Sequence, residues 1–126
     1  MTGSEKAKAF LTEAKFARYE IESLKRALAI ERRSAERYRY QPANYRAFID
    51  LLNQKIAERE AVIKQARALI GSIPDERSRE VLELHYIDRL TLEDVAGRMF
   101  YSWRFINRIQ AEALLSVAFL MGAEDD

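Results

Sequence analysis

The fold turns on residues 91–106, which read Thr91-Leu92-Glu93-Asp94-Val95-Ala96-Gly97-Arg98-Met99-Phe100-Tyr101-Ser102-Trp103-Arg104-Phe105-Ile106. Thr91 is an N-cap residue type, and Asp94 stands three positions on, a weaker form of the capping box. Leu92, Val95, Ala96 and Met99 then share one side of a two-turn helix. After a turn of about three residues, Ser102 caps a second helix. That helix is expected to run to about Met121, with Ile106, Ile109, Ala113, Leu114 and Val117 on its buried face. A short helix, a tight turn and a longer helix have the spacing of a helix-turn-helix.

Working upstream, Ile73-Pro74-Asp75-Glu76-Arg77-Ser78 opens another helix, with Asp75 and Glu76 at the positive end of its dipole. Val81, Leu82, Leu84 and Tyr86 give it a core face, and a break follows at Asp88-Arg89-Leu90. Further upstream the period changes. Phe10, Ala14, Ala17, Ile21, Leu24, Leu28, Ala35 and Tyr38 recur at the 3.5-residue repeat of a coiled-coil seam, with Glu31 at one seam position. Pro42 stops that helix. Tyr45, Ile49, Leu52, Ile56, Ile63, Ala66 and Ile70 then resume the pattern, with Arg59 in the seam. Two such helices joined by a short turn predict a long antiparallel helical hairpin.

Pairing of Glu31 with Arg59 is one way to accommodate the two seam charges, and snorkelling is the other. Phe16, Phe48, Val62 and Leu69 lie off the seam and imply that the hairpin packs on something further. Arg32, Arg33, Arg37, Arg39 and Arg46 mix with Tyr38, Tyr40 and Tyr45 around the tip. A solvated end whose tyrosines cap the seam is the favoured reading there, with phosphate gripping the other.

The 21 Lys+Arg and 20 Asp+Glu of the 126 residues give a net charge of +1, but the balance is uneven. Residues 1–72 carry 15 basic and 9 acidic side chains, and residues 73–126 carry 6 and 11. The sign changes at Gly71-Ser72-Ile73-Pro74, which reads as a hinge between two modules with different jobs, the hairpin (1–72) and the helix-turn-helix (73–126). With no cysteine there is no disulfide scaffold, thiolate zinc site or cysteine nucleophile. Only 4 Gly and 2 Pro argue against a many-stranded sandwich or barrel, so the expected class is all-α. No apolar run approaches the roughly 20 residues of a membrane span, and Met1-Thr2-Gly3-Ser4-Glu5-Lys6 has no signal-peptide pattern. A cytoplasmic chain with no membrane contact is expected. No phosphate-gripping glycine loop or HExxH motif is present, and His85 has no second histidine to join it. The chain therefore reads as a non-enzyme without cofactor or metal, and His85 as a structural residue.

The motif Ile73-Pro74-x-x-Arg77-x-Arg79-Glu80-Val81-Leu82-Glu83-Leu84-x-Tyr86-Ile87, with Leu90-Thr91-Leu92-Glu93-Asp94-Val95-Ala96-x-Arg98-Met99-x-Tyr101-Ser102, Ile106, Ile109 and Ala113-Leu114, resembles region four of bacterial sigma factors. The hairpin placed before it is similar in architecture to prophage and mobile-element late-transcription regulators of the ArpU/RinA type. The resemblance implies a DNA-binding transcription regulator of phage type whose last helix enters the major groove of double-stranded DNA. It implies that Trp103, Arg104, Asn107 and Arg108 face DNA, with Gln110 and Ala111 further along, and that Arg98 and Arg89 hold phosphates. The family's turn usually has glycine where this chain has Phe100; a positive φ there would cost roughly 1–2 kcal/mol.

The final turns, Leu114-Leu115-x-Val117-Ala118-Phe119-Leu120-Met121, are apolar all round, so one side serves the core and another needs a partner. Leu115, Phe119, Leu120 and Met121 are candidate interface residues of a homo-oligomer, a dimer by preference. Two other readings stay open: a module that docks on RNA polymerase without strong DNA binding, and a small-terminase-like packaging component.

Overall fold

The computed structural model describes residues 1–38 and 43–123, leaving the side chain of Tyr38 aside. Among them the chain is all-helical. The elements are α1 (Gly3–Tyr38), α2 (Tyr45–Gly71), α3 (Glu76–Leu82), a π-helical turn (Glu83–Ile87), α4 (Leu92–Met99) and α5 (Trp103–Leu120). Arg39 and Tyr40 of the hairpin tip lie outside the described residues.

Helix α1 opens where the Glu5 N–H donates to the Thr2 hydroxyl at 3.1 Å, and its 36 residues run for about 54 Å. The spacing that predicts a seam along α1 and α2 places Ile21 and Leu28 against Leu52 and Ile56, with Leu24, Ala27, Ile49 and Ile63 beside them. Later residues of α1 thus meet earlier residues of α2, and the two helices run antiparallel. Arg59 does not pair with Glu31. It reaches Glu13 at 3.5 Å and Glu20 at 3.9 Å instead, because the antiparallel register sets it opposite the first half of α1.

At its base the pair stops being self-contained. Ala7, Leu11 and Ala14 of α1 and Ala66 and Ile70 of α2 share one cluster with Ile73, Leu82, Tyr86, Ile87, Ala113, Leu114, Val117 and Ala118. Val62 packs against that cluster, whereas Phe16 and Phe48 stay exposed; the ring of Phe16 has Tyr19 as a neighbour at 6.3 Å. The stretch 71–74, expected as a hinge, is pinned. Ile73 is buried in the cluster, the Ser72 hydroxyl donates to the Ala68 carbonyl at 2.9 Å, and Arg79 Nη1 donates to the Ile73 and Pro74 carbonyls at 2.6 and 3.0 Å.

Helix α3 starts at a cap in which Asp75 accepts from the Ser78 N–H at 3.0 Å and the Ser78 hydroxyl at 2.8 Å. Those bonds favour the charged carboxylate and hold its pKa below the usual value. The helix then widens into the π-helical turn and ends at Arg89, whose φ of 63° is left-handed. Two side chains of α1 hold this exit: Arg18 Nη1 donates to the Ile87 carbonyl at 2.9 Å, and Glu22 pairs with Arg89. His85 is half-buried, its Nδ1 2.7 Å from the Leu90 carbonyl; burial is the main cause of its lowered pKa. A carbonyl only accepts, so Nδ1 carries the proton.

Candidate nucleic-acid interface

Two hydroxyl caps position the α4–α5 unit. The Asp94 N–H donates to Thr91 Oγ1 at 3.1 Å, and the Phe105 N–H donates to Ser102 Oγ at 3.1 Å. Each satisfies a backbone donor that the first helical turn leaves unpaired. Between them the chain reverses at Phe100, with φ 59° and ψ 36°, and the Tyr101 N–H closes the turn on the Ala96 carbonyl at 3.1 Å. Phenylalanine here adopts the left-handed conformation that glycine takes without cost, and its ring is 93% exposed, so burial returns nothing for the strain. What holds the turn is the cluster beneath it: Val81, Val95, Ala96, Ile106 and Ile109, flanked by Leu84, Leu90, Leu92, Met99 and Phe105.

Burying Ile106 and Ile109 turns the other side of α5 to solvent. Trp103 is 57% exposed, and Arg104 and Arg108 are exposed beside it. Asn107 is half-buried, and its Nδ2 donates to the Trp103 carbonyl at 3.0 Å, which leaves Oδ1 as an acceptor. Arg98, on the last turn of α4, is exposed as well. Among the described residues none of Arg98, Arg104 and Arg108 is in an ion pair, so their donors remain available for an anion. A groove of about 400 Å³ runs between Ser102, Arg104, Phe105 and Arg108.

Two residues expected on this face are placed elsewhere. Gln110 is buried, its Nε2 donating at 3.1 Å to the hydroxyl of Tyr86. Burial raises the Tyr86 pKa and the Gln110 bond opposes the rise, so the phenol stays protonated. Arg89 is turned onto α1, with Nη2 3.2 Å from Glu22 Oε1 and its guanidinium 4.4 Å from the Tyr19 ring centre. Its charge is spent on the protein's own carboxylate and ring. A further cation lies near the face: the Arg77 guanidinium stands 5.8 Å from the centre of the Phe105 ring, which in turn meets Tyr101 edge-on at 4.9 Å. No local signal finds it, because 28 residues separate Arg77 from Phe105.

At the far end of α5, Leu115, Phe119, Leu120 and Met121 are exposed. Leu115, Ser116, Phe119 and Leu120 line a groove of about 420 Å³ with Ser72 and Pro74. Among the described residues no group of three or more His, Cys, Asp or Glu is arranged to hold a metal ion, and no helix is long and apolar enough to cross a membrane. No protein-family model, curated protein or solved structure matches the chain.

Proposed function

We propose that this chain is a double-stranded-DNA-binding transcription regulator of phage or mobile-element type. In this reading α4, the Phe100 turn and α5 act as a helix-turn-helix carried on a coiled-coil hairpin. The observation that carries the reading is the first two turns of α5, where Trp103, Arg104 and Arg108 face solvent, neither arginine in an ion pair among the described residues, while Ile106 and Ile109 anchor the opposite side. Arginine can bond guanine through two parallel donors, and an asparagine acceptor suits the adenine or cytosine amino group. In this reading Arg98, exposed on the last turn of α4, is the phosphate contact. The acidic balance of residues 73–126 opposes a long non-specific electrostatic grip, so affinity rests on few contacts and on more than one reading head.

The test is selection of bound duplexes from a random pool, followed by affinity measurements on the enriched sequence at several salt concentrations. An enriched motif is expected, with Arg104→Ala and Arg108→Ala each weakening binding by roughly 5- to 150-fold, as loss of a base contact worth roughly 1–3 kcal/mol requires. No enrichment, or a double variant that binds as the native chain does, overturns the reading. Absent duplex binding would favour docking on RNA polymerase, and a hydrodynamic mass of many chains would favour a packaging ring.

A further inference from the structure

Helix α5 has two unlike ends. Its Ala113, Leu114, Val117 and Ala118 are buried against the hairpin base, yet Leu115 and Phe119 on the same turns stay 54% and 83% exposed. Together with Leu120, which lines the same groove, they form an exposed apolar patch of the kind that is often functional. The groove continues onto Ser72, Pro74 and Ser116, which extends the patch toward the roughly 800 Å² each partner contributes to a standard interface.

We propose that this surface is a two-fold contact with a second copy of the chain, in which Phe119 of each copy seats in the groove between Pro74, Leu115 and Leu120 of the other. Self-complementarity argues for this occupant. A two-fold interface sets the same patch against itself, so a net charge on it would meet its like. Residues 113–121 carry no charged side chain. The patch also holds both halves of a fit: Phe119, mostly exposed, stands on the wall of an apolar groove of about 420 Å³ that continues onto Pro74 and Leu115.

The contact has a consequence for DNA that rests on the reading of α5 proposed above. Residues 103–108 and 115–121 are centred about 12 residues apart, or about 18 Å along the helix. A two-fold axis at the patch relates the two reading ends to each other, so the DNA site they read together has the same symmetry. The dimer therefore selects inverted half-sites.

Sedimentation equilibrium of the full chain without DNA, at tens of micromolar, tests the contact directly. The native chain is expected at twice its 14.7 kDa mass. Phe119→Asp is expected at the monomer mass with unchanged helicity, because the side chain it replaces is on the surface. Leu115→Arg serves as a second variant and is expected to behave the same way. A monomeric native chain, an assembly larger than a dimer, or two folded variants that remain dimeric would each overturn the proposal. Selected DNA reads the symmetry: inverted half-sites support it, and single half-sites or direct repeats overturn it. Failure of the DNA reading looks different. In that case the native chain is still a dimer, while the Arg104→Ala, Arg108→Ala double variant binds duplex unchanged.

Discussion

The two halves of α1 share one helix and one seam but live in different surroundings. The first half carries Ala7, Leu11 and Ala14 into a cluster built from α2, α3, the π-helical turn and α5. The second half carries Ile21 and Leu28 onto α2, in a cluster that those two helices build by themselves. The boundary falls near residues 18–22, where Arg18 and Glu22 reach across to Ile87 and Arg89. A seam read from sequence describes both halves alike; what differs is how many elements each apolar side chain ties together. The first half thus packs on α3, the π-helical turn and the later turns of α5 as well as on α2, apart from the cluster that holds the α4–α5 turn.

The largest effect expected from this difference is on stability. Leu11→Ala removes a fully buried side chain from a cluster of many elements, and about 3–5 kcal/mol of unfolding free energy should go with it. Leu28→Ala should cost about 2 kcal/mol, because only α2 covers it. Denaturant melts followed by far-UV circular dichroism measure both, and equal losses would erase the distinction between the halves. Hydrogen exchange adds a second contrast: amides of residues 21–35 should open locally, while those of α5 open only with the whole molecule.

A smaller effect sharpens the boundary. Arg18→Ala strips the Ile87 carbonyl of its charged donor, for an expected loss of about 1–2 kcal/mol. Faster exchange should then be confined to the exit around Asp88–Leu90. Unchanged exchange there would mean that Arg18 is an ornament of the surface.

The smallest effect is a pH dependence at His85. Burial holds its folded pKa below the ordinary 6.5; the Leu90 hydrogen bond opposes this shift, and the charges of Lys15 and Lys8 add to it. As pH falls, the unfolded chain takes up the proton first. Stability is therefore full above about pH 6.5 and is lost as the pH drops from there through the lower folded value. Thermal melts between pH 7.5 and 5 of the native chain and of His85→Gln should diverge below about 6.5, the native chain losing more. Parallel curves would remove His85 from the account.

Much of this was legible locally. Thr91 and Ser102 locate α4 and α5 almost to the residue, since a cap is a contact between residues three apart. The period of α1 and α2 is legible for the same reason. What could not be read depends on partners far along the chain. Gln110 stands in the register of a DNA-facing residue, but Tyr86, 24 positions earlier, draws it inward. Arg89 looks like a phosphate contact until Glu22 and Tyr19, more than 60 residues away, claim its charge. The seam begins for the sequence at Phe10, whereas the buried residue is Leu11, because at its base α1 faces α5 as well as α2. A π-helical turn adds a residue to a turn without changing composition, so Glu83–Ile87 read as ordinary helix.

Trp103 is the only tryptophan in the chain, more than half exposed at the first position of α5. The protein accordingly carries its own optical reporter at the face proposed to meet DNA, and needs no dye to follow binding. Its emission should start at the red wavelengths of a water-bathed indole and be open to quenching by iodide, and a duplex seated on the face should shield it. Phe119 lies 16 residues along the same helix, about 24 Å away. The indole signal therefore separates occupancy of the reading end from association at the other.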